Sequence, residues 1–118
     1  STGACKETDT YSSKDYFTWA KNALHDFLKI ECSMRNITLA WARVFYVYGP
    51  RQRAGSLIPS IIRNINEGIV PILKTPDNAN DFIHVEDAAV AFKAMTELAI
   101  PSGVYNIGSG SSTPVIEV

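Results

Sequence analysis

The 118-residue chain contains no run of like charge, because its 11 basic and 12 acidic side chains are interspersed and its net charge is -1. That balance argues against binding to nucleic acid or to an anionic membrane surface. Cysteine and histidine are scarce, and occur only as Cys5, Cys32, His25 and His84. Their spacing fits neither a disulfide framework nor a metal site. The sequence has no recognisable secretory or transmembrane segment, so we expect a cytoplasmic protein.

The length and composition are those of one globular domain, with 46% hydrophobic and 19% charged residues. Both ends of the chain nevertheless suggest a fragment. There is no initiator Met, and residues 113–118 have the pattern of a capped helix, with Pro114 at its first position, that stops short. We therefore expect a piece of a longer protein.

The stretch around Lys21 predicts an amphipathic helix over residues 15–30, capped by one of the two serines just before it. Apolar residues recur at helical spacing on one face: Phe17, Ala20, Leu24, Phe27 and Leu28. Lys21 lies four residues after Phe17 and five after Tyr16. An ammonium group and an aromatic ring one turn earlier therefore project from about the same side of the helix.

Residues 37–45 are apolar or β-branched with almost no polar interruption, which predicts a central strand covered on both faces in a parallel sheet. Gly49 and Pro50 end this segment. The side chains of Tyr46, Tyr48 and Arg51 are therefore expected just beyond the carboxyl end of the strand. Open α/β sheets bind their ligands at that edge.

The second half of the chain continues to alternate between helix and strand patterns. We predict a helix after Ser56 that is closed by Gly68, strands over residues 69–73, 81–85 and 104–107, and a helix starting at Glu86. Residues 108–112 are a Gly-Ser loop. This loop is either a cradle for an anion or a flexible connection, and its composition favours the connection.

Three segments in this order, residues 39–51, 81–89 and 104–110, together with the helix around Lys21, resemble the C-terminal half of the extended short-chain dehydrogenase/reductase family. More narrowly, they resemble the NAD-dependent sugar-nucleotide epimerases and dehydratases. The resemblance implies an α/β fold, comprising the C-terminal part of a Rossmann-type parallel sheet plus small substrate-binding elements. Residues 1–50 would complete the dinucleotide-binding domain with its catalytic helix, and residues 51–118 would be mainly substrate-side elements.

The resemblance also implies a Tyr-x-x-x-Lys pair, in which the tyrosine is the general acid/base and the lysine binds the nicotinamide ribose and lowers the tyrosine pKa. Lys21 matches the lysine, but Phe17 stands at the tyrosine position. Tyr16 is one residue earlier, which turns its side chain by about 100° on a helix. Either a local change of helix register lets Tyr16 serve, or the usual acid/base is missing; we favour the second. Thr2 is a candidate hydroxyl partner for the substrate.

Other site residues follow from the same resemblance. Val44 and Phe45, at the end of the central strand, are expected on the cofactor side. The substrate side is expected to include Tyr46, Arg51 and Asn80. The family often has Asn in place of Tyr46, though some members carry an aromatic residue there, and it usually has a diphosphate-binding Arg in place of Asn80. Either Arg51 or Arg53 would then supply the missing charge, unless both lie in a solvated loop.

The implied cofactor is NAD or NADP, and the implied partner is a nucleotide sugar. The Gly-rich turn that seats the cofactor pyrophosphate does not occur in the chain, so the cofactor pocket would lie largely in a missing N-terminal half. We expect the chain by itself to be inactive and to self-associate, because half a parallel sheet leaves apolar surface uncovered.

The first alternative is a non-catalytic, dinucleotide-sensing or scaffolding relative in which Phe17 has replaced the acid/base tyrosine. The second is a free-standing α/β interaction domain whose similarity to the family is accidental. The uncovered apolar strand argues against the second alternative, since a free-standing domain buries such a strand.

Overall fold

The computed structural model describes residues 5–10 and 12–118, and three helices and six short strands alternate along them. The elements are α1 (Tyr16–Met34), β1 (Ala40–Val44), β2 (Tyr46–Tyr48), α2 (Leu57–Asn66), β3 (Ala79–Asn80), β4 (Phe82–His84), α3 (Val85–Glu97), β5 (Gly103–Ile107), β6 (Thr113–Pro114) and a 3-10 helix (Val115–Glu117). None of the helices in these residues has the length and hydropathy that a bilayer crossing requires.

The strands form three pairs. β1 and β5 are parallel and in register from Ala40 opposite Gly103 to Val44 opposite Ile107. β2 and β4 are also parallel, whereas the two-residue strands β3 and β6 are antiparallel. Helices connect the parallel partners, as the βαβ rule requires. The predicted α/β class with parallel strands is therefore confirmed.

Helix α1 is longer than predicted and has a different cap. It extends to Met34, four residues beyond the predicted end, and its N-cap is Asp15 rather than Ser12 or Ser13. The Asp15 carboxylate accepts a hydrogen bond from the Thr18 amide at 2.7 Å, and this bond lowers the pKa of Asp15. The prediction was wrong because aspartate and serine cap helices about equally well.

The strand predicted over residues 37–45 is shorter in the structure, and Tyr46 and Tyr48, expected beyond its end, belong to a further strand. β1 covers only Ala40–Val44, and Phe45 separates it from β2. Among the described residues, β1 is paired on one edge, and the Val44 side chain is 44% exposed. The expected coverage of both faces is therefore absent from this part of the chain.

Two other predicted elements differ from the structure. Residues 69–73 form no strand, although their composition is apolar. Pro114 lies in β6 and is followed by a 3-10 helix, so it does not begin an α-helix. At Pro114, backbone pairing with β3 outweighs local propensity, whereas residues 69–73 have no paired strand among the described residues. The structure confirms the predicted helices after Ser56 and from Glu86 and the predicted strands that correspond to β4 and β5. Each predicted boundary lies within two residues of the observed one.

The core is small. Ile83, Ala88 and Ile107 are buried together, and they pack against the half-buried side chains Ala42, Val47, Ala91 and Met95. The accessible surface is 8948 Å², against about 6,300 Å² for a compact 13 kDa monomer. The radius of gyration is 17.0 Å, against about 13–14 Å for a compact domain of this length. The chain therefore leaves much of its apolar surface uncovered.

His25 anchors helix α1 to the sheet. Its imidazole is 6% exposed and stacks on Trp41 of β1, with ring centroids 4.5 Å apart and planes inclined by 21°. Burial lowers the pKa of His25, and the charge of Lys29 lowers it further. The imidazole is therefore neutral at pH 7 and serves as an aromatic packing group.

Candidate active site

Helix α1 presents Lys21 and Phe17 together. The Lys21 ammonium nitrogen lies 4.4 Å from the centre of the Phe17 ring, a cation–π contact between residues one turn apart. The predicted proximity of the ammonium group and an aromatic ring is therefore present. The ring in this position is that of Phe17, which has no proton to transfer.

Tyr16 lies one residue before Phe17, at the first position of α1. Its side chain is 91% exposed, and the helix is regular from its first turn, since the Trp19 amide donates to the Asp15 carbonyl at 3.0 Å. A regular turn gives no shift in register that would bring Tyr16 to the side of Lys21. Thr2, the other proposed catalytic hydroxyl, lies outside the described residues.

The end of β1 is fixed by backbone hydrogen bonds to two other segments. The Phe45 amide donates to the Ile107 carbonyl, and the Tyr46 amide donates to the Asp81 carbonyl, each at 3.0 Å. Phe45 lines a cavity of about 240 Å³ with Asp81 and the end of β5, while Val44 is partly exposed beside it. The predicted cofactor-side pair therefore lies at the carboxyl end of a parallel strand.

The three predicted substrate-side residues lie in separate elements. Tyr46 begins β2, and its ring contacts Phe82 at 5.6 Å between centroids. Asn80 is half-buried in β3, where it pairs with Thr113. Arg51 is exposed in the turn after β2. The Tyr46 amide donates to the carbonyl of Asp81, the residue that follows Asn80. Arg51 instead lines a cavity between the turn after β2 and helix α2.

The Gly-Ser loop binds the carboxylate of Asp81. This side chain is 8% exposed and accepts hydrogen bonds from the Ser109 amide at 2.6 Å, the Ser109 hydroxyl at 2.8 Å and the Gly110 amide at 2.9 Å. A Cβ atom on Gly108 would lie 2.4 Å from the Asp81 carboxylate, so only glycine leaves room for it. The preferred prediction of a flexible connection was wrong: the loop does bind an anion, and that anion is a side chain of the same protein.

Sequence reasoning also missed two side chains that hold the segment before α1. The Arg43 guanidinium donates to the carbonyls of Glu7 and Asp9 at 3.2 and 3.4 Å. The Asn106 amide side chain donates to the Cys5 carbonyl at 3.0 Å. The only available signal was a polar side chain inside each predicted strand. These contacts place residues 5–9 over the carboxyl ends of β1 and β5.

No group of three His, Cys, Asp or Glu side chains within residues 5–10 and 12–118 is arranged to hold a metal ion. This region has an ammonium group beside an aromatic ring on α1, and the Phe45 side chain at the carboxyl end of β1. Together with the parallel pairs, they define an α/β protein of the Rossmann type.

Comparison with known proteins identifies the family. The sequence model of the NAD-dependent epimerase/dehydratase family matches residues 2–108. The chain belongs to this family, whose members include sugar-nucleotide epimerases and dehydratases.

One curated relative is a trifunctional UDP-glucose 4,6-dehydratase/UDP-4-keto-6-deoxy-D-glucose 3,5-epimerase/UDP-4-keto-L-rhamnose-reductase from Arabidopsis thaliana. It is 36% identical over 73 residues, which are 61% of this chain and 11% of the relative. The chain therefore spans about a tenth of that protein.

Two solved structures share the fold. A dTDP-glucose 4,6-dehydratase from Bacillus anthracis in complex with NAD superimposes with a TM-score of 0.85 at 24% identity, over 98% of this chain and 38% of that one. A UDP-N-acetylglucosamine 4-epimerase from Methanobrevibacter ruminantium in complex with UDP-N-acetylmuramic acid gives a TM-score of 0.82 at 27% identity, over 94% and 37%. Residues 5–10 and 12–118 thus have the fold of rather more than a third of such enzymes.

Proposed function

We propose that the chain belongs to an NAD-dependent enzyme that epimerises, dehydrates or reduces a nucleotide sugar by hydride transfer at a sugar carbon. The observation that carries the proposal is Lys21, which stands on α1 four residues after an aromatic ring, in a chain that belongs to the epimerase/dehydratase family. We further propose that residues 1–50 complete the dinucleotide-binding domain, that residues 51–118 serve the substrate, and that the enzyme is cytoplasmic.

Lys21 on α1 and the residues at the carboxyl end of β1 suit the nicotinamide ribose end of the cofactor. Lys21 has no ion pair among the described residues, so its ammonium group is available to ribose hydroxyls. Val44 and Phe45 offer apolar surface at the strand end. The Gly-Ser loop already binds Asp81 and therefore does not serve the cofactor pyrophosphate. NAD, when bound, would accept a hydride from the sugar and return it.

The proton that accompanies the hydride needs an acceptor on the protein, and Phe17 has none. Tyr16 and Thr2 are the proposed hydroxyl groups, and Lys21 would favour the ionised form of a phenol brought to its side. Tyr46 and Asn80 would contact the sugar from β2 and β3, and Arg51 would supply positive charge.

A second candidate function is dinucleotide sensing without catalysis. The contact of the Phe17 ring with Lys21 favours it, because this ring fills the position where an acid/base side chain is needed. The two functions differ in whether the bound sugar loses hydride, and replacement of Phe17 by tyrosine separates them.

Replacement of Lys21 tests cofactor binding. In the full-length protein, Lys21→Met is expected to weaken NAD binding about tenfold, since it removes charge-assisted hydrogen bonds to the ribose. Fluorescence titration with NAD measures the affinity. The control is Lys29→Met, two turns further along α1, which should bind NAD normally. Equal affinities in both variants would contradict the role of Lys21.

We also propose that the 118-residue chain self-associates. Large apolar side chains of α1 are between 50% and 75% exposed: Phe17, Trp19, Leu24, Phe27, Ile30 and Met34. Covering such a surface is worth about 25 cal/mol per Å². Sedimentation velocity of the chain is expected to show dimers or larger species. A single, concentration-independent monomer boundary would overturn this proposal.

A further inference from the structure

A cavity of about 430 Å³ lies between the second half of α1 and the amino ends of β1 and β5. It is at the opposite end of this parallel pair from the strand ends proposed for the cofactor. Its polar side chains are those of His25, Lys29, Cys32, Ser33 and Ser102. The volume is in the range of small-molecule sites, about 300–1,000 Å³. We call it the Cys32 cavity.

Three of these polar side chains follow one face of α1. His25, Lys29 and Cys32 stand at positions i, i+4 and i+7, which a helix brings to the same side. Because a helix rises 1.5 Å per residue, His25 and Cys32 are about 10 Å apart along its axis, with Lys29 between them. A molecule that contacts all three groups therefore has about the length of three extended residues.

Hydrogen bonds fix the walls of the Cys32 cavity. The Ile37 amide donates to the Cys32 carbonyl at 2.8 Å, so the chain turns back over the end of α1. The Leu39 amide donates to the Ser102 hydroxyl at 3.0 Å, and the Gly103 amide donates to the Leu39 carbonyl at 2.9 Å. These bonds hold the end of α1 and the starts of β1 and β5 around the cavity.

The Nδ1 atom of His25 is buried and has no hydrogen-bond partner within residues 5–10 and 12–118. The whole side chain is 6% exposed. Buried polar atoms are nearly always paired, so an unpaired one needs an explanation. Because His25 lines the Cys32 cavity, a bound molecule with hydrogen-bonding groups would supply the missing partner.

The charge of the Cys32 cavity is positive. Among the described residues that line it, Lys29 supplies the one ammonium group and no side chain is a carboxylate. In the same part of the chain, Lys29 forms no ion pair. The neighbouring carboxylates are outside the lining: Asp26 is exposed, and Glu31 pairs with Arg35 at 2.9 Å. This arrangement favours a molecule that carries carboxylate groups.

Cys32 is the nucleophile of the cavity. It is a free thiol on a half-buried residue. A thiolate reacts with a disulfide by attacking one of its two sulfur atoms. A disulfide held by Lys29 and His25 has its S–S bond close to this thiol, which raises the effective concentration of the reagent.

We propose that Cys32 is a site of reversible modification by a small peptide disulfide that carries carboxylate groups, a class that includes glutathione disulfide. The Cys32 sulfur forms a bond to one sulfur of the reagent while the S–S bond of the reagent breaks. The Cys32 sulfur is oxidised and the departing sulfur is reduced, and the departing group leaves as a thiol with the proton of Cys32. Lys29 contacts a carboxylate of the reagent, and His25 contacts one of its peptide groups. The inference does not depend on the proposed function.

The test compares two disulfides on the full-length protein. Glutathione disulfide is anionic and peptide-like, whereas hydroxyethyl disulfide is small and uncharged and reports the accessibility and ionisation of the thiol. Peptide mapping by mass spectrometry measures the rate of modification at each cysteine. The ratio of the glutathione rate to the hydroxyethyl rate is expected to be about fivefold higher at Cys32 than at Cys5. Cys5 is exposed and shares its own cavity with the carboxylates of Glu7 and Asp81.

Two variants test the contacts of the reagent. Lys29→Met is expected to lower the rate ratio at Cys32 about two- to fivefold, the loss of an exposed ion pair. His25→Phe keeps an aromatic ring on Trp41 and is expected to lower the ratio by a similar factor, through the loss of one hydrogen bond. A change in the ionisation of the Cys32 thiol affects both reagents and cancels in the ratio.

The matched control is Lys93→Met on α3, outside the Cys32 cavity, which should keep the wild-type ratio. Circular dichroism confirms that each variant is folded. The proposal is overturned if the ratio at Cys32 does not exceed that at Cys5, if Lys29→Met or His25→Phe keeps the wild-type ratio, or if glutathione disulfide does not modify Cys32.

Discussion

Phe17→Tyr is expected to raise the rate constant of hydride transfer by about 10²- to 10⁴-fold in the full-length protein with NAD and a nucleotide sugar. The Phe17 ring already lies 4.4 Å from the Lys21 ammonium nitrogen, so a hydroxyl group added to this ring comes close to a cation. A nearby cation favours the phenolate and lowers the pKa of the new tyrosine towards neutrality. Formation of NADH absorbance in a single turnover measures the rate.

Two companion variants make this result interpretable. The double variant Phe17→Tyr, Lys21→Met should lose most of the gain, because the cation that activates the phenol is gone. Tyr16→Phe shows whether the native protein uses Tyr16 instead, in which case the native rate falls and Phe17→Tyr adds little. No gain in Phe17→Tyr, with NAD still bound, would support the dinucleotide-sensing function.

Asp81→Ala is expected to lower the free energy of unfolding of the full-length protein by about 3 kcal/mol. The substitution removes an acceptor of three hydrogen bonds and leaves the Ser109 and Gly110 amides without their partner. Because the Asp81 carboxylate is 8% exposed, water replaces it poorly. Urea unfolding measures the effect as a lower midpoint with an unchanged slope.

Asp81→Asn should lower the free energy of unfolding by less than Asp81→Ala does, since asparagine keeps one acceptor oxygen. The control is Asp77→Ala, which removes an exposed carboxylate from the preceding loop and should change stability by less than about 0.5 kcal/mol. Equal losses for Asp81→Ala and Asp77→Ala would show that the Gly-Ser loop is not held by the Asp81 carboxylate.

Local patterns predicted the helices and the parallel strands well, because their signals lie within a few residues. The stripe of apolar residues after Asp15 specifies α1, and the run after Ile37 contains β1. Residues 69–73 have an equally apolar composition but form no strand, since the choice depends on a partner edge. Sequence patterns therefore predicted which segments are regular more reliably than where each segment pairs.

In the site, too, contacts between residues close in the sequence were predicted and contacts between distant residues were not. The proximity of Lys21 and Phe17 follows from helical spacing and is present in the structure. The contact of Asp81 with Ser109 joins residues 28 positions apart, and that of Asn106 with Cys5 joins residues 101 apart. No local pattern encodes such distances, so the Gly-Ser loop was assigned to the wrong class of connection.

The pairing of β1 with β5 has a consequence for synthesis. Where this pairing begins, Leu39 bonds to Ser102, 63 residues later in the chain. At about 5–20 residues per second, the ribosome makes β1 several seconds before its partner exists. During that interval the backbone N–H and C=O groups on this edge of β1 are unpaired. Unpaired edges of apolar strands readily pair with strands of other chains. Because β5 comes so much later in the sequence, the edge of β1 has to be shielded from other chains until β5 has been made.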